Sequence, residues 1–517
     1  MKNKKKLIII ALIAAVLLVG VMLLLIFLPE STEGTDAADL IDEGNDVSLS
    51  TDESGVHQAK INTNENGEIE NNSYGTLLEY VPADISTIHV ENSSGTIDLK
   101  SETPVNEDGE SEATVYTLVG YEEFELQTGV PDDIANDAAA LDFLSVISLD
   151  GAKASDCGLD DPKATVTVEY TDGTKSVIIV GDDAPQSAGT YIKFGTGETI
   201  YLVSTDAVDS FSGSLTDMFS LTVNDTPSDT ANLEYSKVSL SGTNFADEIV
   251  FEPNSDSKNS ATCVITSPSK LYASETGTSQ VTGAIRGLYA ESVAMVNPTD
   301  AQLSEIGIAK PYAKLVAVYP DETITLLASA PDSDDKVYLM VEGEKIVYKF
   351  AVSSLPWVTS SYDSLVSEYV LHPNMNSVSA VSVNNGSATY DFTLSTKETT
   401  TTDEEGSETT TSTTTVKYGD EEINTSYFST FFQNITLLER TDISSEKASG
   451  SVVLSVSYKY TDGSTDKVEF YSTGSNTYLA VVNGSTLGNV YKTNVNKIID
   501  QTKLVSENKD VANLAAV

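Results

Sequence analysis

Three histidines, two cysteines and many carboxylates are the groups in this chain that could do chemistry. His57, His89 and His372 stand far apart, and no pair has the His-Glu-x-x-His spacing that puts two imidazoles on one helix face around a zinc ion. A Ser-His-Asp hydrolase of the elbow type needs Gly-x-Ser-x-Gly, which is missing. Ser-x-x-Lys occurs at Ser267 and Lys270, at Ser444 and Lys447, and at Ser464 and Lys467. The penicillin-binding class also requires Ser-Asp-Asn and Lys-Thr-Gly, and neither is present. Asn62-Thr-Asn-Glu-Asn-Gly67 imitates the start of a calcium loop, but its twelfth position is Ser73 where a bidentate Glu belongs. The sequence therefore assigns no catalytic, cofactor-binding or metal-ligating residue and points away from an enzyme.

The elements that would position such groups announce themselves by repetition. Gly158-Leu-Asp-Asp-Pro162 leads into the strand Ala164 to Tyr170 and the turn Asp172-Gly173. Gly307-Ile-Ala-Lys-Pro311 leads into Ala313 to Tyr319 and Asp321-Glu322, and Val452 to Tyr460 with Asp462-Gly463 repeats the strand and turn alone. Asp160 and Asp161 become Ala309 and Lys310, whereas Gly158, Pro162, Tyr170 and Asp172 keep their types. Residues that bend and pack the chain recur, and residues that could react do not.

Alternating strands surround each cassette, and helical spacing is read once per copy. It falls at Ile134, Ala138, Leu141 and Leu144, then at Val281, Ile285 and Leu288, then at Phe428, Phe431, Phe432, Ile435 and Leu438. Tyrosines also recur at matching places, as Tyr170, Tyr191 and Tyr201, Tyr319, Tyr338 and Tyr348, and Tyr460, Tyr478 and Tyr491. A packing role is expected for them.

At the N-terminus, Met1-Lys-Asn-Lys-Lys-Lys6 precedes an uninterrupted apolar run from Leu7 to Leu28. At ~1.5 Å per helical residue that run matches a hydrocarbon core of ~30 Å. The lysines favour a cytoplasmic N-terminus and an extracytoplasmic bulk. The formal charge of −49 becomes more extreme once the four lysines before the span are set aside. Such a field repels nucleic acid, so none is expected as a partner. Cys157 and Cys263 are too few for a disulfide framework and are read as unpaired thiols.

Cys157-Gly-Leu-Asp-Asp-Pro162, Val166-Thr-Val168, Asp172-Gly173, Val180-Gly181, Tyr191 and Tyr201-Leu-Val203 together resemble the bacterial family catalogued as domain of unknown function 4340. The resemblance covers most of residues 78 to 360 and, more weakly, the rest. It implies tandem domains behind a membrane segment, no assigned catalytic residues, and an accessory role beside ABC-type transport components of the envelope.

The expected fold class is α+β, with one N-terminal transmembrane helix and then three tandem repeats, each of antiparallel strands with one covering helix. The expected divisions are a cytoplasmic tail 1–6, a transmembrane anchor 7–28 in a single-pass cell membrane protein, and a disordered acidic stalk 29–75. Repeats follow at 76–225, 230–358 and 374–508, the last with a disordered insertion 397–415. The expected function is a non-enzymatic scaffold or accessory component of a cell-envelope or ABC-transporter-associated assembly. Its partners would be the membrane, through residues 7–28, and an envelope or transporter protein, with no cofactor. The alternative expectation is a cell-surface glycan or cell-wall recognition module.

Overall fold

A computed structural model describes residues 47–69, 74–106, 112–402, 408–474 and 476–514. Strands dominate them: 28 strands form one two-stranded hairpin and sheets of nine, nine and eight strands, all antiparallel in their ladders. The described helices are α1 (Val130–Ala139), α2 (Glu275–Thr282), α3 (Asp300–Glu305), α4 (Tyr362–Leu365), α5 (Thr425–Thr436) and α6 (Lys492–Ser506). The expected α+β class is thereby overturned in favour of a mostly-β fold. No described helix is long and apolar enough to cross a membrane, and the anchor expected at residues 7–28 lies outside the described residues.

The chain divides into two compact units, one ending at Met218 and the other beginning at Phe219. In the first, a meander of Ile85–Asn92, Gly95–Glu102 and Val115–Leu118 is followed by α1 and the strand Ala140–Ser148. A second meander then runs through Ala164–Tyr170, Lys175–Asp183, Thr190–Phe194 and Ile200–Val203. The two meanders join where Ile85–Asn92 pairs with Ala164–Tyr170, and the helix is an excursion from one continuous sheet. Alternation dictates the faces: Ala164, Val166, Val168 and Tyr170 are buried while the residues between them are partly exposed.

The second unit repeats this plan twice. Lys237–Ser241 pairs with Ala313–Val318 in its first sheet, and Val378–Asn384 with Val452–Tyr460 in its second. The repeat boundary expected at 225 also moves. Ala290 N donates to Leu221 O and Val223 N to Leu288 O, so this stretch is paired within the second unit.

One covering helix per repeat is not what forms. Helix α1 ends at Ala139, and Leu141 to Leu144 belong to a strand in which Leu141 is buried and Leu144 is 45% exposed. The run Leu-Asp-Phe-Leu-Ser-Val alternates, and β-branched and aromatic residues fit a pleated surface better than a helix. Helix α2 stops at Thr282, before Ile285 and Leu288. Helix α5 carries Phe428, Phe431, Phe432 and Ile435 into the core, where Phe392 packs 5.2 Å from Phe428, but it ends at Thr436, short of the buried Leu438 of the expected stripe.

Two stretches read as disordered are ordered where described. The expected stalk contains a hairpin, Val47–Thr51 with His57–Ile61. Its tip is tied down by Lys175 N donating to Gly55 O at 2.9 Å. The expected insertion 397–415 is a ribbon, in which Thr389–Thr402 pairs with Glu408–Tyr418 out to the Thr402–Glu408 register. Threonine is a good strand former, so a polar threonine tract can extend a ladder without a core beneath it.

Candidate functional site

Each copy places a tyrosine at the end of its long strand and an aspartate two residues later in the turn, and a third side chain closes over both. In the first unit the Tyr80 ring stacks on Tyr170 with centroids 3.8 Å apart. Its hydroxyl donates to Asp172 Oδ2 at 3.3 Å and lies 2.9 Å from His57 Nε2. The Tyr170 hydroxyl lies 3.1 Å from Ala138 O, one of the carbonyls that α1 leaves open at its last turn. Burial pulls the His57 imidazole below its ordinary value, and hydrogen bonds from Thr174 hold the Asp172 carboxyl down.

In the second copy the closing group is Arg286, whose guanidinium lies 4.1 Å over the Tyr319 ring. It pairs with Asp321 and Glu322, each at 3.0 Å. In the third it is Lys258, 5.5 Å over Tyr460 and 3.2 Å from Asp462 Oδ2. The Asp462 carboxyl is pushed down to about 2, first by hydrogen bonds from Ser464 and then by Lys258. The tyrosine and aspartate thus serve as a fixed seat, and the residue that fills it changes from copy to copy.

Lys258 lies in the loop between strands Ile249–Pro253 and Cys263–Ser267 of the second copy, so this clamp ties that copy to the third. Side-chain turns stiffen its loop: Asn254 Oδ1 accepts from Asp256 N, Asp256 Oδ1 from Lys258 N, and Asn259 Oδ1 from Ala261 N, at 2.9, 3.0 and 2.9 Å. The connecting chain then bonds across the loop, with Ser260 N to His372 O at 3.0 Å and Asn374 N to Lys258 O at 2.7 Å. Arg440 fastens the same connection from the other side. Its Nε donates to Ser367 O, and its Nη2 to Asp363 O and Val366 O, at 2.8, 2.8 and 2.9 Å.

Between these fastenings lies a cleft of about 360 Å³. Val264, Leu271, Val370 and Leu487 supply apolar wall, and Tyr272, Tyr369 and His372 supply rings, the last two in edge contact at 5.2 Å. Asp466 accepts from the Tyr460 hydroxyl at 2.7 Å and from Asn483 Nδ2 at 2.8 Å. Burial pulls the His372 imidazole below its ordinary value. Asn259 also lines the cleft and is 6% exposed, and its Nδ2 has no hydrogen-bond partner among the described residues.

The groups singled out in the sequence are not gathered here, Lys270, His372 and Ser464 excepted. His57 serves the clamp of the first unit, and His89 sits exposed on a strand, 2.6 Å from Asp98. Ser267 Oγ donates to Glu248 O, Ser464 Oγ to Asp462, and Lys467 pairs with Glu469, so the Ser-x-x-Lys matches are local turns and ion pairs. Asn64 Oδ1 accepts from Asn66 N and Glu68 N, which makes the calcium-like stretch a turn. Among the described residues no cluster of three His, Cys, Asp or Glu could hold a metal ion. Both cysteines are free and buried. Sequence reasoning passed over Arg286 and Arg440. Their rarity was the available signal, since they are the two arginines of the chain.

These features define a class, a tandem antiparallel-β protein whose copies share a tyrosine–aspartate seat and differ in what closes it. The chain belongs to the family described as domain of unknown function DUF4340, which matches residues 116–294 and 264–450. Both matches begin in the third strand of a copy, Val115–Leu118 and Cys263–Ser267, and run on into the following copy. The connection between copies is therefore inside the family's sequence unit. None of the curated proteins and none of the solved structures compared with the chain is similar to it.

Proposed function

We propose that this chain is a non-enzymatic extracytoplasmic scaffold, an accessory component of a cell-envelope or transporter-associated assembly. The observation that carries the reading is the fate of the repeated residues. Tyr170, Tyr319 and Tyr460 are buried, and Asp172, Asp321 and Asp462 are spent on the groups that close over them. Repetition has been used to build a stiff unit, as expected of a part that presents surface to partners. Support also comes from the seam, where Lys258 and Arg440 fix the second sheet against the third. The sheet-face tyrosines offer less to a glycan reading, because Tyr201 and Tyr348 are buried too.

Gentle crosslinking followed by purification from detergent-solubilised membranes tests the proposal. Recovery with a transport or envelope subunit is the expected result. Recovery of the chain alone would refute it.

A further inference from the structure

Asp256, Lys258, Lys270 and Asp466 line the cleft at the seam, and two of them have no ion pair among the described residues. Lys258 and Asp256 are spent, since Lys258 lies 3.2 Å from Asp462 and 3.8 Å from Asp256. Asp466 is held by neutral donors alone, the Tyr460 hydroxyl on one oxygen and Asn483 Nδ2 on the other, and it feels Lys258 only at longer range. Each of its oxygens keeps a further acceptor site. Lys270 is exposed at the cleft and bonded to no carboxylate. We infer that this cleft binds a zwitterion with an apolar body, a free amino acid or a dipeptide, presenting its ammonium to Asp466 and its carboxylate to Lys270.

Sign and shape both argue for that chemistry. An anion would gain Lys270 but face Asp466, a cation would gain Asp466 but face Lys270, and a neutral ligand would use neither. A ligand carrying both charges matches both. Asp466 is half-buried whereas Lys270 is exposed, so the ammonium contact is the less screened of the two and contributes more. About 360 Å³ falls in the range of ligand pockets, roughly 300–1,000 Å³, that pair apolar and aromatic walls with a few placed polar groups. Between the two charges, Val264, Leu271, Val370 and Leu487 give the apolar body a wall. The rings of Tyr369 and His372, already in edge contact, suit an aromatic side chain.

Calorimetric titration of the full chain in detergent, corrected for detergent alone, tests the inference. The probes are phenylalanine and leucyl-phenylalanine, each beside its N-acetylated form, which lacks the ammonium, and its C-amidated form, which lacks the carboxylate. Saturable binding of at least one probe is expected, and the tighter of the two identifies the source. Its N-acetylated form should bind about tenfold more weakly and its amidated form about threefold more weakly. Asp466→Asn should erase the preference over the N-acetylated form and leave the other. Lys270→Gln should do the reverse, and because Lys270 is exposed it serves if the first variant fails to fold. No saturable heat up to about 10 mM of either probe overturns the proposal. So does equal or tighter binding of a singly charged form, or a preference that Lys270→Gln leaves unchanged.

Discussion

Replacing Arg440 by Met should loosen the second unit measurably. The side chain is 6% exposed and donates to three backbone carbonyls of the connection between its two sheets. Its ion pair with Asp363 adds little, because that carboxylate is 65% exposed and screened by water. Hydrogen bonds from a charged donor contribute about 1.5–3 kcal/mol each, and they are not additive when one group makes several. Water refills part of what is lost at Asp363 and Ser367 but not at Val366, which is 2% exposed. A net loss of about 3 kcal/mol is therefore expected. Trp357 is the single tryptophan, fully buried in the same unit, with its indole donating to Ala284 O at 3.0 Å. Its emission thus reports unfolding of that unit. With a urea slope of about 3 kcal/mol/M the midpoint should fall by about 1 M. Arg440→Lys keeps the charge but loses the planar fork, and should recover less than half of the loss. A midpoint within about 0.2 M of the parent for Met, or full recovery with Lys, would refute the reasoning.

Gly181→Ala should speed amide hydrogen exchange along Lys175–Asp183, because a Cβ there would meet Cys157 O at 2.2 Å and overpacking of this kind costs about 1–3 kcal/mol; unchanged exchange would contradict it. Carboxyl NMR should place Asp462 near 2, and Ser464→Ala and Lys258→Met should each raise it, since the Ser464 hydroxyl and Lys258 both hold it down; an unchanged value in either variant would discard the assignment. Burial lowers the His372 pKa from 6.5, so the unfolded chain takes up a proton in a range where the folded one resists it. Stability followed by Trp357 should then be full above about 6.5 and fall as pH drops below it, and His372→Gln should flatten that limb. An identical acid limb in the variant would rule the histidine out.

Much of the architecture can be read directly from residue types. The strands Ala164–Tyr170, Ala313–Val318 and Val452–Tyr460 follow from strict alternation, and Gly173 and Gly463 turn with φ near +87° and +86° after an aspartate that caps the turn. Helical spacing misled where an apolar run satisfied both periods. Leu141 and Leu144 fit a helix stripe as well as a strand, and pairing with Gly75–Glu79 and Ile200–Val203 decided for the strand. The polar text of 47–69 and the threonine tract lack sustained apolar alternation, so their order comes from backbone pairing that sequence does not display.

What the sequence determined by itself is the repeat, its turns and the tyrosine and aspartate that recur in it, because these depend on local backbone preference and period. Its family likeness rests on the same residues. The filling of each seat, by Tyr80, Arg286 or Lys258, was decided only by tertiary structure, as was the cleft around Asn259. Lys258 and Asp462 lie 204 residues apart, and no local signal links them. Their meeting depends on how a loop of one sheet meets a turn of the next across a connecting segment, and that is a property of the packed chain.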